Sequence, residues 1–207
     1  RRSSLLAEAE KLIAGRGVPC LAEALDITDE HAVRGWVDRA TARLGTPDVL
    51  INNASVLGER TELLEYPLRS WRRTIEVNLT GTLVVTRAVL PGMVERRSGS
   101  VVMVSSGAAR PPRERWGAYA VSKSAVETLT LNLAAELRES GVRLNIVDPG
   151  AMRTGMRAAA YPGEDPDQLK EPALIAPLFL WLAGDQSREV TGTRIVAEKW
   201  MAEQAGR

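Results

Sequence analysis

Tyr119 and Lys123 stand four residues apart in Tyr119-Ala-Val-Ser-Lys123, a spacing that puts both side chains on one helical face, about 5–6 Å apart at Cβ. A phenol titrates near pH 10 and is a poor proton-transfer group near neutrality. A neighbouring ammonium favours the phenolate and lowers that value, which would make Tyr119 an acid–base group. Ser106 precedes Tyr119 by 13 residues, at the end of a predicted strand. From there its hydroxyl can hydrogen-bond an oxygen that Tyr119 protonates or deprotonates. Ser105 competes for that place, and the spacing favours Ser106. Alone, Tyr-x-x-x-Lys is most often a surface pair on a helix. Its weight comes from the polar residues elsewhere in the chain: Asp26, Asn52, Asn53 and Ala54, Asn78 with Trp71 seven residues ahead, and Pro149-Gly150 with Thr154.

These residues need elements to hold them. Apolar periodicity predicts helices over Ser3–Gly15, from the caps Thr28 and Asp29 to Leu44, from Ser70 to Arg96 and from Trp116 to Ser140. Strands are predicted at Val18–Leu25, Asp48–Asn52, Ser100–Ser105 and Val142–Val147. Strands buried on both faces and separated by helices indicate a parallel sheet covered by helices, an α/β doubly wound domain. Ligands in such folds sit beyond the carboxyl ends of the strands. Three predicted strands end there in polar runs: Asn52-Asn53-Ala54-Ser55, Ser105-Ser106-Gly107 and Asp148-Pro149-Gly150.

The chain has 207 residues, 44% hydrophobic and 26% charged, which suits one globular domain and excludes general disorder. A net charge of +1 gives no basic surplus for nucleic-acid binding. The longest uninterrupted apolar runs fall far short of the roughly 20 residues of a membrane span. The single cysteine, Cys20, is expected to be a small buried hydrophobe, and no Cys/His cluster suggests a metal. A reducing cytoplasm is the expected compartment. His31 reads as a solvated side chain on a surface helix.

In order and spacing, Asn52-Asn53-Ala54, Val77-Asn78-Leu79-Thr80-Gly81, Ser106, Tyr119-x-x-x-Lys123 and Pro149-Gly150-x-x-x-Thr154 resemble the short-chain dehydrogenase/reductase family, over nearly all of the chain. The resemblance implies a Rossmann-like fold and an NAD(P)-dependent oxidoreductase that interconverts an alcohol and a ketone or aldehyde. One plausible subtype is a 3-oxoacyl-carrier-protein reductase. Tyr119 is then the acid/base, and Lys123 lowers its pKa and holds the nicotinamide ribose. Ser106 anchors the substrate oxygen, and Asn78 keeps a relay water near the lysine. Asn52, Asn53 and Ala54 flank the adenosine and ribose side of the cofactor, Asp26 meets the adenine, and Pro149, Gly150 and Thr154 support the nicotinamide. Plainer readings stand beside these: Asn78 as a poor interior helix former that kinks its helix, Asp26 as a cap or turn residue, and Pro149-Gly150 as turn punctuation. Homodimers or homotetramers follow by the same resemblance, through the helices Ser70–Arg96 and Trp116–Ser140. The competing function is a non-catalytic Rossmann-like scaffold, or an inactive fragment, assembling through those two helices.

The family opens with a strand, a glycine-rich turn and a helix that cradle the cofactor pyrophosphate. No such glycine pattern occurs here, and the chain opens on Arg1-Arg2 without Met. The expectation is a single truncated domain missing the first two strands and the first helix, binding cofactor poorly by itself. Val18–Leu25 then either pairs with Val49–Ile51 or stays detached. Arg1 and Arg2, near the place that selects the 2′-phosphate, lean towards NADP over NAD. Ser55 replaces the usual glycine after Asn-Asn-Ala, and Gly192–Trp200 lacks the Asp-Gly-Gly ending of many members. Expected substrate-pocket walls are Val56, Leu57, Ala108, Ala109, Arg110, Trp116, Met152 and Met156. Their largely apolar character suits a hydrophobic alcohol or ketone, with Met152–Lys170 as a lid.

Overall fold

The computed structural model describes residues 2–111 and 113–206, without the side chains of Arg2 and Ser3. The lean towards NADP drawn from Arg1 and Arg2 therefore lies outside the described residues. Helix α1 (Arg2–Ala14) and α2 (Glu30–Leu44) precede the first strand, β1 (Val49–Asn52). Next come α3 (Leu68–Ile75), a π-helical turn (Glu76–Gly81) and α4 (Thr82–Glu95), running as one rod. The remainder is β2 (Gly99–Val104), α5 (Gly117–Glu136), β3 (Val142–Asp148), α6 (Gly155–Ala160), α7 (Ala176–Ala183), β4 (Arg194–Val196) and α8 (Ala197–Ala205).

The four strands lie in the order β1-β2-β3-β4, all parallel. Strand alternation divides the side chains of β2 and β3 between two cores. Val101, Met103 and Leu144 pack with Val33 and Val37 of α2, Val89 and Met93 of α4 and Val126 of α5. Val102 and Val147 point the other way, against Leu178 and Leu182 of α7 and Ala197 of α8. Each such fully buried side chain stabilises by about 1.5–3 kcal/mol relative to exposure. Two-sided burial explains why these strands read as continuous apolar runs. Stretch 68–95 is long and apolar enough, by length and composition, to cross a membrane; here α4 gives Val89, Leu90 and Met93 to the core.

Segment 18–25 corrects the sequence reading, which expects a strand there. It runs without regular structure, pairs with neither β1 nor any other strand, and leaves Val18 exposed. A short apolar run becomes a strand only where a neighbour takes up its backbone groups. Side chains tether the segment instead: Glu23 pairs with Arg39 of α2, and Leu25 packs against the larger core. Cys20 is half-buried in this segment rather than in the core.

Local signals hold elsewhere. Asp29 caps α2 by accepting from the Ala32 N–H at 2.9 Å, an interaction worth about 1 kcal/mol. The predicted helix beginning at Trp116 stops at Glu136 rather than Ser140, and Gly141 makes the turn into β3 with φ +79°. A Cβ there would stand 2.7 Å from the Arg97 carbonyl carbon. Gly150 has a similar φ, +76°, but nothing within 4 Å of its Cβ position. Gly150→Ala should therefore cost about 1 kcal/mol, the cost of the backbone conformation alone. Gly141→Ala should cost clearly more, because backbone must also move. Urea midpoints of the two variants check this, and equal losses would contradict it.

Candidate active site

A cleft of about 1360 Å³ opens beyond the carboxyl ends of β1, β2 and β3, where a doubly wound sheet places its ligands. Helix α5 begins immediately after Trp116, so its first two turns carry Tyr119 and Lys123 into the cleft wall. Both are buried, at 7% and 3% exposure. Ser106, on the turn after β2, lies near enough to the Tyr119 phenol to lower its pKa, and its Oγ accepts from the Ala108 N–H at 3.1 Å. Ser105 points away and donates to the buried carboxylate of Glu127 at 2.6 Å. The structure thus brings Ser106, not Ser105, to Tyr119.

Lys123 Nζ donates to the Val104 carbonyl at 2.7 Å and lies 5.8 Å from the Tyr119 ring centroid. Burial disfavours its charge and lowers its pKa to about 8. The same burial corrects the expectation that Tyr119 is acidified. Desolvation pushes the phenol above its ordinary value, and the negative charge of Asp148 adds to that. Ser106 opposes both and does not win. In this cleft Tyr119 rests protonated.

Asn78 lies on the π-helical turn, where such irregularities often mark functional sites. Its side chain accepts from the Val56 N–H at 2.8 Å and donates to the Val56 carbonyl at 2.9 Å and to Ser122 Oγ at 3.0 Å. Ser122 Oγ in turn donates to the Tyr119 carbonyl at 2.7 Å. The amide therefore ties the loop after β1 to the turn of α5 that carries Tyr119. Both of its donors are engaged by protein groups.

The remaining expected residues divide. Asn53, Ala54, Pro149, Gly150 and Thr154 line the cleft. Asn52 does not: its amide donates to Thr86 Oγ1 at 2.9 Å and fastens β1 to α4. Asp26 lies at the cleft rim and also forms the turn that the plainer reading expects. It accepts from Thr28 N and Oγ1 at 3.0 and 2.7 Å and pairs with Arg73 at 3.2 Å. The Thr28 hydrogen bonds, with a smaller contribution from Arg73, hold its carboxyl below the usual range. Of the expected walls, Val56, Leu57, Ala108, Trp116, Met152 and Met156 line the cleft, whereas Ala109 and Arg110 do not. Arg110 is drawn away by charge, its Nε lying 2.8 Å from Glu127. The ends of segment 152–170 are pinned together, Arg153 N donating to the Lys170 carbonyl at 2.8 Å.

Glu127 is the residue that sequence reasoning missed. It is fully buried and bonds Arg194 of β4 at 2.8 Å, and Arg194 bonds Asp148 at 2.8 Å. Asp148 Oδ1 accepts from the Gly150 N–H at 3.1 Å. This chain of charges joins the Ser105-Ser106 turn to the turn at Pro149-Gly150. The signal was present: Glu127 follows Lys123 by four residues and so shares its inward face.

Comparison with known proteins identifies relatives of this chain. Residues 1–165 match the family model for short chain dehydrogenase. The uncharacterized oxidoreductase YciK of Escherichia coli K12 is 42% identical over 151 residues, covering 73% of this chain and 60% of that protein's length. A short chain dehydrogenase structure from Salmonella enterica serovar Typhi superposes with a TM-score of 0.89 at 38% identity, covering 94% of this chain and 81% of that one. A further structure, from Escherichia coli CFT073 and complexed with NADPH, gives 0.88 at 35% identity, covering 95% and 82%. With its parallel sheet, its cleft at the strand ends and these likenesses together, the chain belongs to the short-chain dehydrogenase family.

Proposed function

We propose that the protein interconverts an alcohol and a ketone or aldehyde, with NADP or NAD as the hydride carrier. The observation that carries this reading is the convergence of Tyr119, Ser106 and Lys123 on one cleft wall at the strand ends. A binding scaffold has no use for a buried phenol beside a buried ammonium. The nicotinamide, when bound, supplies or accepts the hydride.

The residues present fit the nicotinamide–ribose half of that group. Lys123 is a buried ammonium with one protein acceptor, Val104 O, although an ammonium has three hydrogens to donate. The hydroxyls of a ribose would satisfy the other two. Pro149, Gly150 and Thr154 line the adjoining wall, and Asn53, Ala54 and Asp26 line the cleft on the other side. The NADPH complex of the Escherichia coli relative supports a nicotinamide dinucleotide as the carrier. A glycine-rich turn for the pyrophosphate does not occur in this sequence, and no step is assigned to one.

During reduction, Tyr119 gives its phenolic proton to the carbonyl oxygen, which Ser106 holds by a hydrogen bond as negative charge builds on it. The raised pKa leaves the proton on the phenol at rest but makes it a weaker acid, so the transfer depends on stabilisation of the phenolate that forms. Lys123 stabilises the phenolate left behind, and oxidation reverses each transfer. Leu57, Met152 and Met156 provide an apolar wall for the body of the substrate. Copies pair through α4 and α5 on this reading, covering apolar surface such as the exposed Val121 and Leu131 of α5.

Two measurements test these assignments. With NADPH oxidation followed against a panel of ketones, Tyr119→Phe should lower kcat by roughly 100-fold or more while leaving the thermal midpoint nearly unchanged; equal rates would contradict the acid role. Lys123 provides a separate check on stability. Its folded pKa of about 8 lies below its ordinary value of 10.5, so the unfolded chain binds more protons between those values. The parent should therefore gain stability relative to Lys123→Met as pH rises from about 8 towards 10.5. A difference between the two urea midpoints that stays flat over that window would count against a buried ammonium.

A further inference from the structure

Beside the cleft wall formed by Trp116 and Arg157, two guanidinium groups pack on Tyr161, and a third lies in the cleft near Gly107. Arg60, on the loop after β1, holds its Cζ 4.2 Å from the Trp116 ring centroid and 5.1 Å from that of Tyr161. Arg157 of α6 lies over Tyr161 at 4.0 Å. Trp116 also meets the Tyr119 ring at 5.5 Å, so the aromatic surface runs from the reacting phenol directly to the cations. The third, Arg113, lines the cleft, with Nη2 4.0 Å from where a Cβ on Gly107 would stand, next to Ser106.

Their charges are unevenly matched. Arg157 is neutralised by Glu164, which receives both Nε and Nη2. Among the described residues no carboxylate pairs with Arg60 or Arg113. The Nε and Nη1 of Arg60 are buried without any acceptor. Stacking on two rings offsets part of that cost, by about 0.5–2 kcal/mol, but leaves the charge uncancelled. Burial raises the pKa of the Tyr161 phenol, yet Arg60, Arg157 and Arg113 together outweigh burial and hold it below its ordinary value.

We infer that the substrate is amphipathic and carries an oxyanion, a carboxylate or phosphate, which this cationic corner receives while Leu57, Met156 and Phe179 take its apolar body. The inference deepens the oxidoreductase reading by naming the substrate class. Arg113 is the contact residue, since among the described residues that line the cleft it is the guanidinium without a carboxylate partner; Arg60 supplies charge from behind Trp116. The planar fork of a guanidinium matches both oxyanions. The anion takes no part in the chemistry. A hydride and a proton still add across the carbonyl, and the carboxylate or phosphate leaves with the product unchanged.

Calorimetric titration without turnover tests this on the intact chain. The probes are a medium-chain 3-oxo acid, its methyl ester, and a phosphate monoester of an alcohol of equal length. At low salt the acid or the phosphate should bind about tenfold more tightly than the ester, a difference of about 1.4 kcal/mol. Arg113→Met should remove most of that preference, as should raised ionic strength. Preference for the carboxylate over the phosphate, or the reverse, identifies which oxyanion is meant. Equal binding of acid and ester, absence of binding by all three, or a full preference surviving in Arg113→Met would overturn the inference. Turnover of neutral ketones without an anion preference would overturn it alone, whereas anion-selective binding with no turnover of any carbonyl would overturn the oxidoreductase reading and leave this one standing.

Discussion

Removal of the Lys123 ammonium from water is the constraint on which the rest of this cleft depends. A buried charge is tolerated only where fixed polar groups replace its hydration. Among the described residues the Val104 carbonyl, at the end of β2, does so. That bond requires α5 to lie against β2 in one register, which the shared core of Val126, Val101 and Met103 helps maintain. The same burial acts on Tyr119 in the opposite chemical sense, keeping its proton on. A phenol that resists ionisation and an ammonium that loses its proton easily are thus products of one dry wall.

Holding that wall rigid is the work of groups outside it. Asn78 spends its whole amide on the Val56 backbone and Ser122, so the loop after β1 cannot shift without disturbing α5. Glu127, Arg194 and Asp148 form a second brace between β4, α5 and the Gly150 turn. Breaking one member of such a buried network leaves an uncompensated charge, which costs far more than the intact network contributes. Both braces converge on the turns that follow the strands, which are the least regular and most functional parts of the fold.

Much of this was legible in the residues. The i,i+4 spacing of Tyr119 and Lys123 places them on one face, and spacing separates Ser106 from Ser105, whose hydroxyl in fact serves Glu127. Capping chemistry marks Asp29 as the start of α2. What sequence does not carry is the balance of environments. Spacing says that an ammonium is near a phenol, but not that the phenol is desolvated enough to be pushed above its ordinary value. Segment 18–25 reads as a short apolar stretch yet makes no ladder with the open edge of β1, so its tertiary context decides its state. Arg110 reads as a pocket wall until the position of Glu127 is known, and Asn52 reads as a cofactor contact until Thr86 is seen to take its amide.

The central claim is that burial, rather than the adjacent ammonium, sets the resting state of Tyr119. Carbon-13 labelling of the three tyrosines at Cζ, with Tyr119→Phe to assign the resonance, follows its ionisation directly in the cofactor-free protein. Tyr119 should titrate above the ordinary phenol value of 10.0 and stay protonated across neutrality. A phenolate forming at Tyr119 near neutral pH, with the cleft free of ligand, would contradict it.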